Sequence, residues 1–74
     1  MICPIFIKDT TDVEKVSRIA AETGVDMSVS YGSMMTDPRS ILGLFAFIGK
    51  KALLVAPDDF DPEKFAKVVK RMGV

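Results

Sequence analysis

The sequence predicts an α+β fold, an open-faced two-layer sandwich of order βαββαβα with three helices on one face of a four-stranded, mainly antiparallel sheet. Three observations predict it. Four short segments are rich in β-branched, aromatic or aliphatic residues; three other segments, two between these and one after the last, carry helical spacing or helix-capping signatures; and Gly32-Ser33 joins the two middle strands by a turn that only an antiparallel pair accommodates. Strands that each bury one face, and helices that need a common apolar surface, are satisfied together by two layers.

The first strand is Ile2 to Ile7, and Pro4 within it favours a sheet edge, where a missing N–H breaks no ladder. Thr11-Asp12-Val13-Glu14 has the capping-box pattern, with Thr11 as cap, Asp12 as a first-turn acid and Gly24 as terminator. Val13, Val16, Ile19 and Ala20 share one face of that helix, and Glu14, Lys15, Arg18 and Glu22 lie mostly on the other. Val25, Met27, Val29 and Tyr31 alternate with polar residues as a half-buried strand, and Met34 to Thr36 returns as its short partner.

A second helix is expected from Pro38 or Ser40 to Ile48, closing on Gly49 and Lys50-Lys51. Its start is ambiguous. Ser40 can cap it, but Asp37-Pro38 offers the same cap-and-first-position pattern one turn earlier, which would make Ser40 an ordinary first-turn serine and set Asp37 against any phosphate placed there. Ala52 to Ala56 is a compact apolar strand suited to the sheet centre. The last helix is the best specified: Asp61 caps, Pro62 takes the first position, Phe60 staples against Phe65, and Phe65, Val68, Val69 and Met72 form the apolar stripe.

Composition narrows function. Seventy-four residues, 49% of them hydrophobic, make one domain over 1–74 near the lower limit for a self-sufficient core. Ten basic residues balance ten acidic ones, which argues against a nucleic-acid partner. The small basic spots at Lys50-Lys51 and Lys67-Lys70-Arg71 read as solvated helix ends and faces. With no histidine and one cysteine, Cys/His zinc sites and Ser-His or Cys-His catalysis are excluded, and no metal or cofactor is expected. Cys3 reads as a half-buried strand thiol in a reducing compartment. The opening segment reaches Lys8 too soon for a signal peptide, and the apolar run Ile41 to Ile48 is too short for a bilayer, so a soluble cytoplasmic protein without membrane contact is the expectation.

The second helix breaks the amphipathic rule, because Ile41, Leu42, Leu44, Phe45, Phe47 and Ile48 surround it. A domain this small cannot bury a helix on every side. Helical spacing sets Ile41, Leu42 and Phe45 on one face and Leu44, Phe47 and Ile48 on another, and the helix as a whole is read as carrying an exposed contact patch for a protein partner.

The element order and the run Arg39-Ser40-Ile41-Leu42-Gly43-Leu44, continued by Phe45-Ala46-Phe47-Ile48-Gly49-Lys50-Lys51 and an apolar strand, resemble HPr, the phosphocarrier of the bacterial phosphoenolpyruvate-dependent sugar phosphotransferase system. The specific similarity covers about Arg39 to Val55. In that family the phosphorylated histidine opens the first helix; the matching place falls near Thr10, Thr11 and Asp12, where histidine and its assisting arginine are both missing. The resemblance therefore points to the Crh-type homologue that lacks the active histidine. An acyl phosphate on Asp12 is chemically conceivable, but nothing nearby supplies the metal site or base expected for it.

A dedicated kinase phosphorylates a serine at the start of the second helix in such proteins, and the resemblance places this regulatory site at Ser40, flanked by Arg39 and Ile41. It likewise implies that Arg39, Ile41, Leu42 and Phe45 meet partner proteins. The expected function is thus a non-catalytic regulatory binding module without carrier activity. Two alternatives stand beside it: a structural or homodimerising protein that retains the fold, and a degenerate phosphocarrier using another residue.

Overall fold

In the computed structural model, which describes all residues Met1–Val74, the elements run β1 (Ile2–Ile7), α1 (Thr10–Thr23), β2 (Ser28–Tyr31), β3 (Met34–Thr36), α2 (Ile41–Phe45), β4 (Lys50–Val55) and α3 (Pro62–Met72). The fold is α+β, with three helices and one four-stranded, wholly antiparallel open sheet of order β1-β4-β2-β3. β1 lies at an edge, as Pro4 requires, and the apolar β4 lies inside. Register is fixed by pairs such as Ile5 with Ala52, Val29 with Leu54 and Val29 with Thr36.

Alternation along the strands separates the two faces of the sheet. Ile5, Ile7, Val29, Ala52 and Leu54 are buried under the helices, together with Val13, Val16, Ile19 and Ala20 of α1, Leu44 and Phe47, and Phe65, Val68 and Met72 of α3. Each large side chain so enclosed contributes about 1.5–3 kcal/mol relative to exposure. Cys3 is half-buried against this core. Ile2, Phe6, Leu53 and Met35, on the opposite parity, are exposed.

Local chemistry accounts for several boundaries. Gly32 opens the β2–β3 turn at φ 59°, a conformation available to glycine at no steric cost. Asp61 accepts the Glu63 N–H at 2.9 Å, Pro62 begins α3, and the Phe60 and Phe65 rings meet edge to face with centroids 6.4 Å apart. Gly24 and Gly73 terminate α1 and α3 in the left-handed region.

Four expectations need correction. The cap of α1 is Asp9, not Thr11: Asp9 Oδ1 accepts the Asp12 N–H at 3.0 Å, and Thr11 sits inside the first turn. Aspartate is at least as good a cap as threonine, and the reciprocal acid is Asp12, which reaches back to the Lys8 N–H at 3.0 Å. α2 ends at Phe45, well before Ile48, because the chain tightens to i→i+3 bonds from Phe47 to Leu44 and Ile48 to Phe45. The Gly49 N–H then donates to Ile7 O at 2.7 Å, drawing the chain into β4 two residues earlier than its apolar run suggests. Finally, β2 pairs only from Ser28, and Tyr31 at its end is exposed instead of buried, with the Lys50 ammonium 5.3 Å from its ring centroid.

Candidate protein-binding site

The α2 region is built on a loop in which no buried side-chain polar atom is left unpaired. Pro38 is buried, fixing the backbone that leads from β3 into the helix. Asp37 forms a turn of its own: its Oδ1 accepts the Arg39 N–H at 2.9 Å, its C=O accepts the Ser40 N–H at 2.9 Å, and its carboxylate receives the Arg39 guanidinium at 2.6–3.1 Å. The Arg39 side-chain hydrogen bond, then its backbone N–H, hold the Asp37 carboxyl down to about 2, and the same contact raises the Arg39 pKa. Arg39 also reaches Asp26 at 3.2 Å across the surface.

Ser40 is the cap of α2. Its Oγ accepts the Gly43 N–H at 3.1 Å, and its C=O accepts the Leu44 N–H at 3.0 Å. The two rival starts thus divide the work: Asp37 makes the preceding turn, and Ser40 begins the helix. From α1, the buried Ser17 Oγ–H donates to Arg39 O at 2.9 Å and anchors the loop to the layer beneath.

Gly43 faces β3 at close range. A Cβ there would overlap Thr36 Oγ1 and stand 3.0 Å from Thr36 Cβ, so the helix lies against the strand only because this position has no side chain. That contact fixes the rotation of α2. Leu44 is fully buried and Phe47 nearly so, whereas Leu42 is 82% exposed, Ile41 45% and Phe45 43%. Arg39, Ser40, Ile41, Leu42 and Phe45 are therefore gathered around one short helix, with three apolar side chains open to solvent and the ion-paired Arg39 beside them.

Thr10, Thr11 and Asp12 belong to a different element, the opening of α1. Thr10 and Thr11 are exposed, and Asp12 is turned inward. Its buried carboxylate accepts the Lys8 N–H and lies 3.3–3.4 Å from Lys8 Nζ; these contacts, the backbone one foremost, lower its pKa against the opposing effect of burial. Asp12 is thereby committed to the joint between β1 and α1. A shallow surface depression begins at Thr11 and runs along α1, lined by Thr11, Glu14, Lys15 and Arg18. No three His, Cys, Asp or Glu side chains gather at one point, and no helix is long and apolar enough to cross a membrane.

Sequence reasoning misses Ser17 and Gly43. Ser17 interrupts the stripe of Val13, Val16 and Ala20, and a hydroxyl on a buried helix face demands an acceptor. Gly43 sits mid-helix where glycine is disfavoured, which signals close backbone approach. Neither signal names its partner, since Arg39 O and Thr36 are distant in sequence.

Comparison of the sequence with protein-family models gives no match, and comparison with curated proteins gives none either.

Proposed function

We propose that this chain is an HPr-like, cytoplasmic regulatory module of the Crh type, which has no carrier activity, binds a protein partner through Ile41, Leu42 and Phe45 beside Arg39, and is regulated by phosphorylation at Ser40. One observation carries the reading: Ile41, Leu42 and Phe45 stand exposed on a helix whose Leu44 is fully buried, so their exposure belongs to a fixed surface. The βαββαβα order and the sheet order β1-β4-β2-β3 support an HPr-like arrangement, together with the Arg39–Val55 resemblance. At the place of the family histidine, Thr10 and Thr11 are plain hydroxyls and Asp12 is occupied by Lys8.

For Ser40 the support is positional. A five-residue helix lends little dipole to a phosphate, but Arg39 holds the neighbouring Asp37 carboxylate in an ion pair and so offsets the like charge that would oppose one. A phosphate would add about −1.5 to −2 charges at the rim of the apolar trio, enough to turn away a partner that buries it or to engage one bearing arginine.

The test uses ATP and an HPr kinase, followed by intact mass. One added phosphate is expected, abolished by Ser40→Ala and also by Leu42→Glu, which removes the docking surface and leaves the hydroxyl in place. No mass change in the wild-type chain defeats the kinase-regulated reading. Phosphoenolpyruvate with the first enzyme of the phosphotransferase system should leave no acid-labile phosphate; its appearance would establish the degenerate carrier instead.

A further inference from the structure

The open side of the sheet carries an apolar surface that the α2 patch does not explain. Strand pairing sets Pro4, Leu53, Ser30 and Met35 in one row across all four strands, with Ile2, Val55 and Ser28 in a second row and Phe6 and Lys51 in a third. Ile2 is 63% exposed and Met35 72%, with Phe6 and Leu53 also open to solvent. The β1–β4 half is almost wholly apolar and the β2–β3 half carries the two serines. An antiparallel sheet facing water usually alternates to polar side chains, and this one does so only in part.

The ends of the sheet differ in charge. Lys8, Lys50 and Lys51 lie where β1 ends and β4 begins, accompanied by Asp9 and the buried Asp12. Asp26, Asp37, Asp58 and Asp59 flank the strands at the opposite end, against Arg39, which pairs with Asp26 and Asp37, and the Met1 ammonium, which pairs with Asp58. The strand ends are therefore net basic on one side and net acidic on the other, while the chain as a whole is neutral.

We propose that this open face is a homodimer interface, on which a second copy of the chain stacks sheet to sheet about a two-fold axis that lies in the interface and runs across the strands. That operation lays the β1–β4 half on the same half of the partner and the Pro4–Leu53–Ser30–Met35 row on itself. It also sets the basic end over the acidic end, with Lys51 above the copy's Val55, on the side where the chain continues to Asp58 and Asp59. Apolar and charged patterns are both self-complementary under this one rotation, which a two-fold interface requires. Aligned sheets stack about 10 Å apart in this manner.

Area sets the strength. Strands of six, six, four and three residues, at about 3.4 Å per residue and about 4.8 Å apart, give a face on the order of 300 Å². A stable interface covers roughly 800 Å² per partner, so the dimer belongs to the weak, concentration-dependent class. This surface is separate from the α2 patch, and either reading can fail without the other.

Sedimentation velocity of the full chain from about 10 μM to about 1 mM tests it, the range suited to a weak interface. The weight-average mass should rise toward the dimer with concentration. Leu53→Lys, which sets two cations face to face at the axis, should weaken association at least about tenfold, whereas Leu42→Glu on α2 should leave it unchanged. Met35→Ser, on the edge strand and outside the core, should weaken it by a smaller factor and serves if Leu53→Lys disturbs folding. Lys51→Glu should weaken association and Lys51→Glu with Asp58→Lys and Asp59→Lys should restore it. A monomer throughout the range, or a dimer that Leu42→Glu removes and Leu53→Lys spares, overturns the proposal.

Discussion

The openings of α1 and α2 use the same capping chemistry to opposite ends. At α1, Asp9 accepts the Asp12 N–H, and the carboxylate of Asp12 folds back on Lys8, so the polar groups are consumed in joining strand to helix. At α2, Ser40 caps with its single hydroxyl, the helix stops after five residues, and three of its apolar side chains face water. A long helix with a full apolar stripe can satisfy itself against the core; a short one pinned by Gly43 has too few turns to do so. The contrast separates a structural joint from a surface available for recognition.

The largest expected effect lies within α2 itself, between residues two apart. Leu44→Ala removes a fully buried side chain and should cost about 2–5 kcal/mol. Leu42→Ala should stay within about 0.5 kcal/mol, since its side chain is mostly in solvent. Urea unfolding of the two variants checks this, and similar midpoints would mean that α2 does not hold the orientation described.

Gly43→Ala is a contest of two effects. Helix propensity favours alanine by about 1 kcal/mol, while forcing a methyl against Thr36 costs about 1–3 kcal/mol. Because the intruding Cβ would overlap Thr36 Oγ1, the clash should prevail and thermal stability should fall. Adding Thr36→Ala removes the Oγ1 and should recover part of the loss; a stabilised single variant would show that α2 and β3 are not in close contact.

The Asp12 joint should yield a smaller and pH-dependent effect. Asp12→Asn retains an acceptor but loses the charge, so it should cost about 1 kcal/mol, the difference between a hydrogen bond to a charged group and one to a neutral group. Its pKa is lowered in the folded state, so the unfolded chain takes up its proton first as pH falls. The charge-dependent stability is thus complete above the ordinary aspartate value of 3.8 and is lost as pH falls through the lower folded value. Wild type and Asp12→Asn should differ at pH 7 and converge in acid. A gap that stays constant between pH 7 and pH 2 would show that the Asp12 charge is not what joins β1 to α1.

Elements governed by neighbours in sequence were legible. Asp61-Pro62 with Phe60 and Phe65, Gly32-Ser33 and the edge position implied by Pro4 follow from local pattern alone, whereas the outward side of α2 is assigned from the HPr resemblance. The misread positions depend on distant partners. Asp9 and Thr11 are both competent caps, and the end of β1 at Ile7 decides between them. The end of α2 depends on Gly49 donating to Ile7, and the assignment of Asp37 to a turn depends on Arg39, itself held through Ser17. For the candidate site, the apolar trio was visible as an excess of hydrophobic residues, but its fixed orientation rests on the Gly43–Thr36 approach, which no local pattern contains.

Asp37 and Arg39 give the smallest effect and the sharpest contrast with Asp12. Both aspartates have lowered pKa values and both are held by a neighbouring cation and a backbone N–H, yet Asp12 is enclosed whereas Asp37 and Arg39 stand in solvent. Water and salt screen an exposed pair, so its short distances do not translate into comparable stability. Asp37, at about 2 in the folded chain, contributes above the usual aspartate range and loses that contribution as pH falls through about 2. Asp37→Asn should therefore lower the melting temperature less than Asp12→Asn does, and high salt should reduce the Asp37 difference while leaving most of the Asp12 difference. Equal salt sensitivity at the two sites would remove the distinction between a buried joint and a solvent-exposed recognition surface.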